Sequence, residues 1–133
     1  GDAMMVTFNT RGDQPDHAQR AAGAALAIQE ATGAVAAEHP GWPRFRAGVN
    51  TGEAAVGVLG TAGGRTFTVI GDAVNVAARI EGRATVGEVA VSAATLRQLS
   101  GARVEPMGLL EVTGRSDPVD VYHLVAIEGA DQA

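Results

Sequence analysis

Apolar and polar positions change their period several times along this chain, and each change predicts an element. Residues 3–8 (AMMVTF) read as a short apolar strand, and residues 9–15 as a polar turn. From there the spacing turns helical. Asp16 stands as N-cap with Gln19 in the capping-box position, and Ala18, Ala21, Ala22, Ala25, Leu26, Ile28 and Val35 line one side as far as about Glu38. His39-Pro40-Gly41-Trp42-Pro43 stops that helix. Residues 45–50 and 54–59 read as two strands joined around Thr51-Gly52-Glu53, a hairpin-like signal, and residues 60–66 as a mobile hairpin or loop. The β-favouring run Thr66-Phe67-Thr68-Val69-Ile70 passes through Gly71-Asp72 into a helix over residues 73–80. A strand (88–92), a short helix (93–99) and two closing strands (103–112 and 119–127, with a turn at 114–118) complete the series. There are no internal repeats, and residues 129–133 look like a loose tail. Such an order predicts an α+β domain whose helices pack on one face of a sheet.

The helix after Ile70 carries the first candidate chemistry. Asn75 and Arg79 are four residues apart, which places both side chains on one helix face in neighbouring turns. Val74, Ala77, Ala78 and Ile80 offer an apolar face to anchor the helix. A guanidinium suits phosphate oxygens and an amide can orient a ribose, so the pair reads as a nucleotide clamp. Spacing alone leaves the alternative open that both residues sit on an ordinary solvated face.

Composition narrows the partners. The 133 residues suffice for one core, 46% are apolar, the net charge is −5 and only 4% are aromatic. Neither a basic stripe nor a stacking platform for nucleic acid is present, so no nucleic-acid partner is expected. The absence of cysteine excludes disulfides and thiolate metal sites and fits a reducing, cytoplasmic setting. No apolar run approaches a membrane span, so no membrane contact is expected of this segment, although the parent protein could be membrane-attached.

The string Arg65-Thr66-Phe67-Thr68-Val69-Ile70-Gly71-Asp72-Ala73-Val74-Asn75-Val76-Ala77-Ala78-Arg79-Ile80-Glu81 resembles the signature of class III adenylate and guanylate cyclase catalytic domains. Gly1-Asp2-Ala3-Met4-Met5-Val6, Pro15-Asp16-His17-Ala18-Gln19-Arg20-Ala21, Arg46-Ala47-Gly48-Val49-Asn50-Thr51-Gly52 and Pro118-Val119-Asp120-Val121-Tyr122-His123-Leu124 resemble the same family in the same order. The resemblance implies the ferredoxin-like cyclase fold. It places the first central strand, two helices and the following strand upstream of Gly1, so residues 1–128 would form the C-terminal part of a catalytic domain, with a gap in the sheet near Asp2.

What the resemblance implies for chemistry is specific. The activity would be conversion of ATP to 3′,5′-cyclic AMP and pyrophosphate, with two Mg²⁺ or Mn²⁺ ions per site. Asp2 would be one metal carboxylate, the other lying upstream; from the residues alone Asp2 reads first as a turn residue near a chain end. Asn75 would hold the ribose and Arg79 would stabilise charge on the α-phosphate. Thr68 would meet the purine edge, its plainer reading being a β-branched strand residue. Where many relatives place a phosphate-gripping lysine this chain has Thr113, and Arg115 is the candidate substitute. Arg65 and Asp72 would be supports, with phosphate contact left open to Arg65. The sites would form between the subunits of a head-to-tail homodimer, and the chain alone would be inactive.

Competing motifs are weaker. Gly60-Thr61-Ala62-Gly63-Gly64-Arg65-Thr66 lacks the spacing and lysine of a phosphate-binding P-loop, and Arg11-Gly12-Asp13 reads as a turn. His17, His39 and His123 are scattered, which implies no metal cluster. A module of cyclase type that lacks catalysis and serves dimerisation or nucleotide sensing is the alternative function.

Overall fold

A computed structural model describes residues 3–61 and 64–128. The elements run α1 (His17–Glu38), β1 (Ala47–Val49), β2 (Ala55–Thr61), β3 (Gly64–Ile70), α2 (Asp72–Arg83), β4 (Val89–Ser92), α3 (Ala93–Leu96), β5 (Ala102–Leu110) and β6 (Val119–Ile127). Four strands form one sheet in the order β1-β4-β6-β5, with β1 parallel to β4 and the other pairs antiparallel. β2 and β3 form a separate antiparallel pair.

Strand β4 explains the layering. All four of its residues are buried, and alternation sends Val89 and Val91 to one face and Ala90 to the other. On the first face Ala22 and Ala25 of α1 pack with Val89, Val91 and Leu124. On the second, Val76, Ile80 and Ala84, in and just after α2, pack with Ala90, Val112 and Val121. The helices therefore cover both faces, not one as the element order predicts. A strand apolar at every position needs cover on two sides.

The hairpin predicted around residues 51–53 does not form. β1 instead runs parallel to β4, from Ala47 opposite Val89 to Val49 opposite Val91, and β2 pairs with β3 from Ala55 opposite Ile70 to Thr61 opposite Gly64. Parallel neighbours cannot be joined by a tight turn, so the chain between β1 and β4 makes a long crossover that contains the β2–β3 pair and α2. The antiparallel pairing lies farther along, where the sequence reads as a hairpin or loop, with Gly60 opposite Arg65 and Thr61 opposite Gly64.

Three smaller expectations change too. Residues 3–7 form no strand, because no strand runs beside them among the described residues, and Met4, Met5 and Val6 are exposed. Asp16 precedes α1 but caps nothing with its side chain. Its carboxylate takes the Arg20 Nε–H at 2.9 Å, and that guanidinium holds the Asp16 carboxyl below the usual carboxylate range. Gln19 closes no capping box either. Its amide donates to the Ser100 carbonyl at 3.2 Å and its oxygen accepts from the Ser100 N–H at 2.9 Å. Ile28 and Val35 are exposed, and the buried side of α1 is completed by Gln29. Gln29 donates to the carbonyls of Phe45 and Glu88, each at 2.9 Å, and so staples α1 to the starts of β1 and β4. The gap expected near Asp2 and the tail at residues 129–133 lie outside the described residues.

The tightest approach in the fold is between β1 and α2. A Cβ added to Gly48 would lie 2.4 Å from the Glu81 nitrogen and 2.9 Å from the Ala77 carbonyl oxygen, both backbone atoms that cannot step aside. Gly23, inside α1, would meet nothing within 4 Å. Opposite outcomes are expected in denaturant titration. Gly48→Ala costs at least about 1–3 kcal/mol by overpacking, whereas Gly23→Ala gains about 0.5–1 kcal/mol by stiffening the helix.

Candidate active site

The segment after β1 builds the site by holding the start of α2. Asn50 Nδ2 donates to the Ala73 carbonyl at 3.1 Å, and a Cβ on Gly52 would press on the Ala73 Cβ at 3.1 Å. Gly71, with φ +153°, lies against the Ala54 backbone where a side chain would be 3.3 Å from its Cα. Beneath them is a hydroxyl network. The Thr51 and Thr95 hydroxyls are 2.9 Å apart, Ser92 Oγ donates to Thr95 Oγ1 at 3.2 Å, and Thr95 Oγ1 reaches the Val49 carbonyl at 3.4 Å. Ser92 also caps α3 by accepting the Thr95 N–H at 3.2 Å. Ser92 and Thr95 are buried, so their mutual satisfaction matters. Sequence reading missed this network; a hydroxyl at each of three separated positions gives no periodic signal.

Helix α2 presents a polar stripe. Its core side is Val76 and Ile80, with Val74 and Ala77 half-buried and Ala78 exposed, so the anchoring face is rotated from the one expected. Asp72, Asn75 and Arg79 are all exposed and follow the i, i+3, i+7 spacing of one helix face. Both ends of that stripe reach the connection between β5 and β6. Arg115 Nη1 pairs with the Asp72 carboxylate, and Arg79 Nη2 donates to the Glu111 carbonyl at a long 3.5 Å. Farther along, Arg83 Nη2 donates to the Met107 carbonyl at 3.0 Å, which keeps α2 laid along β5. Asn75 sits between the two contacts and makes no side-chain hydrogen bond among the described residues.

Between stripe and connection lies a cleft of about 460 Å³, lined by Arg79, Glu111, Thr113, Arg115 and Ser116 among others. The structure thus brings Arg79 and Arg115 together on one cavity. Asn75 does not line it; it stands beside it, one turn toward the start of α2. Thr113 forms part of the wall. Thr68 lies in β3 opposite Gly57. Its side chain, that of Arg65, and all of Asp2 are outside the described residues. Two guanidiniums, two hydroxyls and a glycine turn (Gly114, φ +89°) make a wall suited to a polyphosphate, which accepts hydrogen bonds on every oxygen. Among the described residues no three His, Asp or Glu side chains come together to hold a cation.

The sequence model of the adenylate and guanylate cyclase catalytic domain matches residues 1–126. The chain belongs to that family. It is 34% identical to adenylate cyclase 1 of Rhizobium meliloti (strain 1021) over 134 aligned positions, covering 96% of this chain and 20% of that protein. In structure it is similar to the guanylyl cyclase Cya2, with a TM-score of 0.81 and 30% identity over 97% of this chain and 71% of that one. It is also similar to the guanylate cyclase domain of RhGC from Catenaria anguillulae, solved in complex with GTP, with a TM-score of 0.74 and 27% identity over 91% of this chain and 66% of that one. The chain spans about a fifth of the length of the curated relatives it matches. Cyclases named for adenylate and for guanylate both stand among its neighbours, so family membership alone does not choose the base. No helix among the described residues is long and apolar enough to cross a membrane.

Exposed stripe residues of α2 and buried network residues separate in a stability measurement. Asn75→Ala and Arg79→Ala are expected to move the unfolding free energy by no more than about 0.5 kcal/mol. Thr95→Val, which strips partners from Thr51 and Ser92, is expected to cost about 1–3 kcal/mol. Chemical denaturation of the three variants checks both.

Proposed function

We propose that this domain is the catalytic part of an adenylate cyclase that turns ATP into 3′,5′-cyclic AMP and pyrophosphate. The observation that carries the reading is the pairing of Arg79 with Arg115 on one cleft, with Asn75 beside it on the same helix stripe. In the reaction the ribose 3′-oxygen bonds to the α-phosphorus, the hydroxyl proton is released, and the bond to the pyrophosphate oxygen breaks. Asn75 holds the ribose so that the hydroxyl lies in line with the departing group. Arg79 donates to the α-phosphate oxygens as negative charge grows there. Arg115 holds the terminal phosphates in place of the lysine that Thr113 displaces. Thr68 meets the adenine edge from β3. The adenylate cyclase relative supports ATP over GTP, and a hydroxyl at position 68 is compatible with that choice.

The donor set of the cleft fits phosphate rather than a divalent ion, since guanidiniums line it and no cluster of oxygen ligands does so among the described residues. In this reading the metal carboxylate is Asp2, brought to the cleft by a second copy of the chain in a head-to-tail homodimer. Asp2 would hold Mg²⁺ or Mn²⁺ there, and the ion would supply Lewis acidity to the reaction. The β2–β3 pair supports a covering subunit, because Val56 and Val58, two apart on one face of β2, are apolar and exposed.

The full-length protein assayed with ATP and GTP under each metal is the direct test. ATP is expected to be the better substrate, and chelation of divalent ions is expected to abolish turnover. Arg79→Ala is expected to lower kcat by about 10²–10³-fold with a much smaller change in KM. Equal losses in kcat and in nucleotide affinity would remove Arg79 from its transition-state role. Activity per subunit is expected to fall on dilution through the dimer dissociation constant, and constancy would defeat the shared site.

A further inference from the structure

Asp72 is the one carboxylate paired with a cleft guanidinium among the described residues, and the proposed reaction gives it no step. It opens α2, where a negative charge is favoured by the exposed N–H groups and dipole of the helix start whether or not a cation is near. Its partner Arg115 comes from the β5–β6 connection, where the Arg115 N–H donates to the Val112 carbonyl at 3.0 Å and Gly114 adopts φ +89°. The side chains of Arg115 and Asp72 retain 36% and 56% of their exposure, so water screens the pair and its separation costs little. Arg115 also lines the cleft shared with Arg79. One guanidinium is therefore held by a weak, solvent-exposed carboxylate at the rim of a cavity that a second guanidinium, Arg79, lines together with Glu111. Tri- and diphosphates carry several charges and accept in bidentate fashion, so they outcompete a single exposed carboxylate for it.

We infer that Arg115 exchanges partners: the Asp72 carboxylate gives way to the polyphosphate of the nucleotide, and takes Arg115 back when pyrophosphate leaves. The inference rests on the cleft being the polyphosphate site. It makes Asp72 a positioning residue that acts through Arg115, tunes affinity for substrate and product together, and favours release. Asp72 gives up less than an internal helix carboxylate would, because the helix start continues to stabilise its charge.

Binding of inorganic tripolyphosphate to the full-length protein, measured by calorimetry at fixed ionic strength, tests this without requiring turnover. Asp72→Asn is expected to tighten binding by about two- to five-fold, the worth of an exposed ion pair, and Arg115→Gln to weaken it. In the Arg115→Gln background Asp72→Asn is expected to change affinity by much less, since the carboxylate no longer has a cation to withhold. Asp72→Ser, which retains a helix-start acceptor, is expected to act in the same direction as Asp72→Asn. If Arg79→Ala and Arg115→Gln both bind tripolyphosphate like the wild type, the cleft is not the polyphosphate site and the exchange falls with it. If those two variants weaken binding while Asp72→Asn also weakens it, or tightens it equally with and without Arg115, the exchange alone is overturned.

Discussion

The close seating of α2 on β1 is the constraint from which the rest of the site follows. Because Gly48 has no side chain, the helix backbone at Ala77 and Glu81 comes down onto the strand. That contact fixes the height of α2. Asn50 and Gly52 then fix its start through Ala73, and Val76 and Ile80 fix its rotation by burying in the core below. With height, start and rotation set, Asp72, Asn75 and Arg79 have no freedom but to form a stripe on the far side. The stripe meets the β5–β6 connection, and the cleft is the space between them. Asp72, Asn75 and Arg79 can stay exposed because the helix that carries them is fixed by contacts underneath.

This arrangement divides labour between two kinds of polar residue. Thr51, Ser92 and Thr95 are buried or half-buried and bond one another and the Val49 carbonyl, and the Gln29 amide bonds the carbonyls of Phe45 and Glu88 just ahead of β1 and β4. Asn75 and Arg79 are exposed and nearly free. Burial makes the first group costly to alter and irrelevant to substrate, whereas exposure makes the second cheap to alter and available to it. Arg115 falls between the two, partnered yet exposed, which is the physical basis for treating it as a group that changes partners.

Much of this was legible in the amino-acid sequence, for reasons that differ by region. Helix α2 was legible because a β-rich run, a Gly-Asp turn and an i, i+4 polar pair coincide within a few residues. Its rotation was read wrongly, since Val74, Ala77 and Ala78 look as apolar as Val76 and Ile80 until the sheet decides which side is covered. The pairing of β1 was illegible from local pattern: an apparent turn at Thr51-Gly52-Glu53 suggested a hairpin, and only the apolar run at β4, distant in the chain, shows that β1 has a parallel partner. Layering failed for a related reason, because a strand buried on both faces announces two helix layers only once its neighbours are known. The capping box at Asp16 and Gln19 lost to tertiary contacts, Arg20 claiming one side chain and Ser100 the other. Resemblance to the family supplied roles for Asn75, Arg79 and Arg115; the geometry adds that two of the three share a cavity and that the third stands beside it.

The account depends on one nucleotide being gripped by α2 and the β5–β6 connection of one subunit and met by the acidic side of another. A crystal structure of the full-length protein with a non-cyclisable ATP analogue and a divalent ion tests that most directly. The account predicts Arg79 and Arg115 of one protomer on phosphates of the same nucleotide, with the Asp2 carboxylate of the second protomer at the metal. A nucleotide bound away from Arg79, or a metal held by Asp2 of the same protomer, would contradict it.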